Sequence, residues 1–534
     1  MKPILWRVVR STAAAAALFL PSVAVQGQSA PAGTSWPDDR AFPSFERATH
    51  LDVLQVPRLS PDEQLMVVTL QGLVNRRRPR IYLARGPQES RTNWLQILDV
   101  PHSDVADPMQ LVSKYRDEIR GLVVYDPHVD ASVNVATTLA GLDDAIVVGP
   151  DLATTLTTSQ HFTVLEDLRG RFSDDMAAYN WEFDNLWPRT THRMIVASPP
   201  KQHLFIRDYA VATKAMVVWL RVGVPAERDL LARIVDSMPP DTPYAGWFVS
   251  EPGSNEVPAV SFLSEHAKYN LAADLFWNAT VFSGVPAPVA RTQPAAPPVA
   301  LGPKFYLTFT VSDGDNIQYD QNRMKMAWAD PARGRVPINW TINPLLVDLA
   351  PSMLAYYQRT ATPGDYLVAG PSGAGYAYPA QWPSDTFHLF TERTGRYMTR
   401  AGLRIIEVEN FENVGRLRAS PLGPEQAASF ARDVAPLGID LARPAAPVSV
   451  AAAGLPVAMK IGIKSVDDAR QKIERVSAGW DGRTPRFLVL YADAWHMSPS
   501  DLAQIASSLG SQYQVVRGDQ FFQLVRQALG LPAG

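Results

Sequence analysis

Continuously apolar runs, rather than alternating ones, recur through the C-terminal part of the chain. They lie at 305–311, 336–342, 365–369, 403–408, 455–461, 486–492 and 513–516. A strand that is apolar on both faces belongs in a parallel sheet covered on both sides. Between several of these runs the apolar positions change to helical spacing, as at 351–359, 466–475 and 500–509. The pattern predicts an α/β domain of about seven β/α units. A closed (β/α) barrel is the first reading and an open doubly wound sheet the second.

The N-terminal part shows the same alternation on a smaller scale. Ser60, Pro61, Asp62 and Glu63 form a helix start with a capping box, and Arg76, Arg77, Arg78 and Pro79 end that helix before a strand near 80–84. Strands at 121–126 and 144–148 flank a helix at 131–142. Asp126 reads as a turn or cap residue rather than a ligand. A third segment ends its strand at 245–249 in a polar turn, 251–256, of a kind that can face a site. Several small α/β domains are therefore expected, at 45–115, 116–195 and 196–285. A Pro/Ala-rich linker follows at 286–303, carrying Pro286, Pro288, Pro294, Pro297, Pro298 and Pro303, and the barrel-like domain fills 304–534.

Residues 1–27 read as a secretory signal: Lys2, Arg7 and Arg10 precede a small apolar stretch interrupted by Pro21. The expected location is periplasmic or extracellular, with no stable membrane anchor after cleavage. The 534 residues include no cysteine, which excludes disulfides, thiolate metal sites and a thiol nucleophile. A net charge of −3 without a long basic block argues against nucleic acid as a partner. Composition says nothing of the oligomeric state.

Barrel geometry puts functional groups at the C-terminal ends of strands. Those ends carry Ser312, Asp313, Asp315 and Asn316 after the first run, and Asn339 and Trp340 in the second. The third run is followed by Gly370, Gly373, Gly375, Tyr376 and Tyr378. Glu407, Glu409 and Asn410 close the fourth; Asp493, Trp495 and His496 follow the sixth.

Gly373-Ala374-Gly375-Tyr376-Ala377-Tyr378-Pro379 matches the Gly-x-Gly-Tyr-x-Tyr-Pro signature at every fixed position. The chain thus resembles the GxGYxYP family of putative glycoside hydrolases. The 312–316 stretch is similar to that family's first barrel strand. Thr69-Leu70-Gln71-Gly72-Leu73-Val74-Asn75-Arg76, with Pro79-Arg80-Ile81-Tyr82, is similar to its N-terminal module. The resemblance implies several small domains ahead of a catalytic-type barrel, and a carbohydrate substrate.

Glycoside hydrolysis commonly needs two carboxyls, one as acid and one as base or nucleophile. The candidates are Asp313, Asp315, Glu407, Glu409 and Asp493. Glu407 and Glu409 alternate onto one strand face, although loop carboxylates bonded to backbone amides are an equal reading for Glu409. Substrate contacts are expected from Asn316, Asn339, Trp340, Gly373, Gly375, Tyr376, Tyr378, Trp495 and His496. The glycines would let backbone pass close to a ligand, and the tyrosines would form a wall. No cofactor and no metal is expected. A metal-assisted deacetylase-like hydrolase is a rival, but the domain holds only His388 and His496. The other rival is a non-catalytic glycan-binding or scaffold protein on a barrel.

Overall fold

Every residue of the strand Phe305–Val311 is buried, so both of its faces are packed, as its continuous apolar pattern requires. In the computed structural model, which describes residues 35–534 apart from 86–93, 252, 414 and 415, this strand stands in a closed parallel ring. The C-terminal strands are numbered here β1 (Phe305–Val311), β2 (Ile338–Ile342), β3 (Asp365–Ala369), β4 (Ile405–Val408), β5 (Gly438–Leu441), β6 (Leu455–Ile463), β7 (Arg486–Ala492) and β8 (Tyr513–Val515). Strands β1 to β7 pair in chain order, and β7 returns to β1 in register from Phe305↔Arg486 to Val311↔Ala492. The barrel thus has seven strands.

Its membership differs from the sequence reading in one strand. Gly438–Leu441 is a full ring member, whereas Tyr513–Val515 only wedges against the lower half of β1, from Phe305 to Leu307. Higher up, Thr310 and Val311 pair with β2. The β5 run was not apparent because it is four residues long and carries Asp440 in its middle.

The pleat sorts side chains between the lumen and the outer helices. Phe305, Leu307, Phe309 and Trp340 belong to the core beneath the helices. Tyr306, Val368, Ile405, Ala458 and Val489 belong to a separate cluster inside the barrel. Phe521 and Phe522, on the helix Gly518–Ala528, join that inner cluster and plug the N-terminal end. Above the plug the lumen turns polar: Thr310, Glu407, Asp440 and Lys460 are all buried there. The interior is therefore apolar at its floor and charged toward the C-terminal ends of the strands.

Three small parallel sheets precede the barrel. Their strand orders are Ile81–Ala84, Leu51–Gln55, His102–Val105; then Ala145–Val148, Gly121–Val124, Val164–Asp167; and Lys268–Leu271, Thr242–Gly246, Ile195–Ala197, Val217–Val218. Helix Pro61–Asn75 begins with the predicted capping box of Ser60 and Glu63. Asp126 accepts from the amides of His128 (2.9 Å) and Gly170 (2.8 Å), a turn-closing role. The stretch 286–303 contains no helix or strand. Gln293 ties it to the barrel by donating to Leu367 O (2.8 Å) and Gly402 O (3.1 Å). The signal-like segment 1–27 lies outside the described residues. Among the described residues no helix is long and apolar enough to cross a membrane.

Candidate active site

The C-terminal end of the barrel opens into a cavity of about 840 Å3. Its walls include Asp313, Asp315, Asn316, Tyr376, Glu409, Tyr491, Asp493 and Trp495 from the barrel. Trp247, Glu256, Asp274 and Leu275 of the third small domain complete it. Seven carboxyl groups line this space (Glu256, Asp274, Asp313, Asp315, Glu409, Asp468 and Asp493) against two lysines, Lys464 and Lys472. Lys472 is already engaged with Asp468, at 2.8 Å.

Asp313 follows directly from β1 by way of Ser312. Its backbone takes φ +73°, a left-handed conformation that Asp tolerates better than most residues. The turn is fixed from below: Gly314 N donates to Thr341 Oγ1 (2.8 Å), and Asn343 Nδ2 donates to Asp315 O (2.8 Å). Asp313 accepts from Ser312 Oγ at 2.7 Å and from the Trp495 indole N–H. Burial pushes the Asp313 carboxyl up, and these two donors oppose that rise. Asp315 is buried more deeply and pushed well above the usual carboxylate range, by burial and then by Asp313 and Glu256.

Glu409 sits just beyond β4 with its side chain about one-fifth exposed. Lys460, on β6, lies 2.5 Å from Glu409 Oε1 and is also in contact with Glu407. One ammonium cannot neutralise both carboxyls, and the pocket holds further acids. Burial, with Glu256 adding to it, pushes Glu409 up to about 8. Burial likewise pulls Lys460 down. Its nitrogen stands 4.2 Å from the centre of the Tyr491 ring.

The rim is aromatic on one side. Trp495 is half exposed, at 51%, and its ring centre is 6.0 Å from that of Tyr319. Asp493 accepts from Trp495 N and from His496 Nδ1, both at 2.9 Å. His496 is exposed beside the rim and is not part of the cavity wall.

Of the residues expected from sequence, Asp313, Asp315, Asn316, Tyr376, Glu409, Asp493 and Trp495 meet in this one cavity. The others are placed elsewhere. Glu407 is fully buried in the lumen behind Glu409. Asn339 spans the lumen, donating to Thr308 Oγ1 (2.8 Å) and Thr310 Oγ1 (3.2 Å) and accepting from Gly518 N (2.7 Å). Trp340 points outward from the same strand, bonds Asp365 Oδ1 at 2.8 Å and packs on Trp328. Alternation in β2 sends these two neighbours to opposite faces, and neither face reaches the cavity.

Gly373 and Gly375 also depart from the expected role. A Cβ on Gly373 would stand 2.5 Å from Thr394 Cγ2, and one on Gly375 would stand 2.2 Å from Tyr269 Cδ2. What approaches these glycines is protein. Asn270 and Tyr376 exchange backbone hydrogen bonds at 2.8 and 2.9 Å, joining the third domain to the barrel. Tyr378 is fully buried, with its ring against Phe411, and its amide donates to no site group but to Ser264 Oγ (2.9 Å). Arg393 reinforces the joint: it pairs with Asp241 at 2.6 Å, stacks 3.7 Å from the Tyr269 ring centre and donates to Ala374 O.

Glu256, Asp274, Lys460 and Asp440 were not among the expected site residues. The signal for Lys460 and Asp440 was a charge inside an otherwise apolar strand; that for Glu256 was its polar turn.

A second cleft, around Arg76, Arg77, Arg78 and Arg80, is filled electrostatically by its own acids: Asp144, Glu46 and Glu118. Among the described residues no group of three or more His, Asp or Glu side chains is placed to hold a metal ion.

Family models match the chain almost end to end. "GxGYxYP_N 1st domain" covers residues 50–117, "GxGYxYP_N second domain" 119–190 and "GxGYxYP third domain" 192–284. "GxGYxYP putative glycoside hydrolase C-terminal domain" covers 303–526. No curated protein matches. A crystal structure described as that of a putative hydrolase from Bacteroides thetaiotaomicron VPI-5482 superposes with a TM-score of 0.79, at 22% identity, over 93% of this chain and 99% of that one. At that identity the likeness is one of fold. With all four of its domain models matched in order along residues 50–526, the chain belongs to the GxGYxYP family.

Proposed function

We propose that this protein is an exported glycoside hydrolase that cleaves an oligo- or polysaccharide in the cavity above the barrel. The observation that carries the reading is the meeting of Asp313, Asp315 and Glu409 in one cavity beside a half-exposed tryptophan. A proton donor for glycosidic cleavage must hold its proton near neutral pH while a second carboxyl stays ionised. Glu409, pushed up to about 8, fits the first role. Asp313 fits the second, because Ser312 and Trp495 donate to it and favour its anion. Asp315 lies deeper, with Asp313 and Glu409 among its charged neighbours. Trp495 offers the apolar face on which a sugar ring stacks.

Glu409 would protonate the leaving oxygen as the glycosidic bond breaks. Asp313 would face the positive charge developing on the sugar and take the proton of the water that adds to the anomeric carbon. The metal-assisted deacetylase alternative wants a donor set that these side chains do not provide.

The test is turnover of a broad glycan panel by the wild-type chain and by Asp313→Asn, Asp315→Asn and Glu409→Gln. Each substitution is expected to lower kcat by about 100-fold or more, the scale of general acid–base catalysis. Full activity in all three would overturn the assignment. Binding across the panel without turnover would make the protein a glycan receptor instead. Export is tested separately, by N-terminal sequencing of the chain recovered outside the cytoplasm.

A further inference from the structure

The third small domain brings two carboxyls to the cavity, Glu256 and Asp274, and Asp274 is tied down by Gln318 Nε2 at 2.9 Å. Glu256 opens the helix Glu256–Glu265 and is accessible through the cavity, while the barrel's own acids approach from below. Its Oε1 accepts from Tyr376 OH at 2.7 Å. Tyr376 OH is in turn 3.3 Å from Tyr378 OH. The amide of Tyr378 bonds Ser264, in the last turn of that same helix, at 2.9 Å. The two tyrosines of the motif therefore fasten both ends of one helix. The backbone exchange between Asn270 and Tyr376 fixes the next strand as well.

This clamp holds a carboxyl where a joint alone has no need of one. Among the described residues Glu256 Oε2 has no hydrogen-bond partner in the protein, and Asp313, Asp315 and Glu409 are electrostatic neighbours of the group. Like charges collected at a domain joint work against docking. An amide at 256 would accept from Tyr376 equally well without that repulsion. Burial, with Asp313 adding to it, pushes the Glu256 carboxyl up, and the Tyr376 hydroxyl opposes that rise by bonding the anion. One oxygen anchored by a donor and the other free in a site is the arrangement of a preorganised catalytic carboxylate.

We propose that Glu256 is a catalytic carboxylate of this site and that Tyr376 is its positioning residue, so that the third domain and the barrel share one active centre. This rests on the glycosidase reading above. The free oxygen of Glu256 accepts a hydroxyl of the sugar at the cleavage point, and its charge opposes the positive charge that grows on the ring in the transition state. The family motif then has a chemical purpose: its glycines let the joint close, and its first tyrosine aims the carboxylate.

The experiment compares full-length wild type, Glu256→Gln, Tyr376→Phe and Glu409→Gln for kcat, KM and the pH profile of kcat on a cleaved glycan, with thermal unfolding of each. Glu256→Gln keeps the shape and the bond to Tyr376, so it is expected to unfold at the wild-type temperature. It should lower kcat by about 100-fold with KM changed by less than about threefold, the signature of a contact made mainly in the transition state. Tyr376→Phe removes the donor that favours the Glu256 anion. It should lower kcat by about tenfold and move the acidic limb of the profile to higher pH, with Asp313, Asp315 and Glu409 the other carboxyls facing the group. Wild-type activity in Glu256→Gln, beside loss in Glu409→Gln, overturns this inference and leaves the glycosidase reading standing. Absence of glycoside turnover by wild type removes both.

Discussion

Replacing Gly375 by alanine separates two accounts of the motif. If the glycine exists so that ligand can come close, the variant should fold normally and bind substrate poorly. The structure instead puts Tyr269 against it, with Cδ2 at 2.2 Å and Cε2 and Cγ at 2.9 Å from the position of a Cβ. That ring cannot swing aside, because it is fully buried and Arg393 lies 3.7 Å from its centre. The backbone at Gly375 has φ +121°, which lies outside the left-handed well that Asn or Asp accept. A side chain there costs about 1–3 kcal/mol in backbone strain. Overpacking against a rigid neighbour adds about 1–3 kcal/mol. The sum is about 4 kcal/mol, which for a unit of the barrel's size is a fall of about 10 °C in unfolding temperature. Differential scanning fluorimetry of purified wild type and Gly375→Ala, with KM on any cleaved substrate, makes the comparison. An unfolding temperature within about 1 °C of wild type, accompanied by a raised KM, would refute the joint and restore the ligand-facing role.

Two further outcomes follow from named groups. Glu182 is fully buried in the second domain, and burial pushes its pKa from 4.5 up to about 8 against the opposing pull of the Thr138 hydroxyl and the Val217 amide. Between those values the unfolded chain gives up the proton and the folded chain keeps it, so stability falls as pH rises, by about 1.4 kcal/mol per unit. Glu182→Gln should therefore flatten the decline between pH 5 and 8 and unfold later than wild type at pH 8; an unchanged slope in thermal scans would contradict this. Trp495→Ala should raise KM about tenfold, a loss of about 1.4 kcal/mol, and also lower kcat because Asp313 loses its indole donor; initial-rate kinetics with unchanged KM would remove Trp495 from the sugar-binding surface.

The barrel was legible because buried parallel strands are apolar on both faces, and six of the seven ring strands announce themselves that way. Gly438–Leu441 did not, since Asp440 interrupts it; burial pushes that carboxyl up to about 8, with Thr310 Oγ1 donating at 3.4 Å. The acids at strand ends were legible from barrel geometry, and Asp313, Asp315, Glu409 and Asp493 do share a cavity. Facing directions were harder. Asn339 and Trp340 sit within β2, short of its C-terminal end, and the pleat turns one into the lumen and the other under the helices. Tyr378 looked like a platform and is instead a buried strut, because its partners, Ser264 and Phe411, are distant in sequence. Glu256 could not be assigned for the same reason: only the tertiary joint brings it across 120 residues to Tyr376.

The central claim is that cleavage takes place between Asp313 and Glu409, beneath Trp495. The most direct measurement is a crystal structure of Glu409→Gln bound to an oligosaccharide that the wild-type chain cleaves. The account predicts a sugar ring stacked on the Trp495 indole, with the glycosidic oxygen within about 3 Å of the side-chain amide at position 409. An oligosaccharide seated outside this cavity, in a variant that has lost activity, would contradict it.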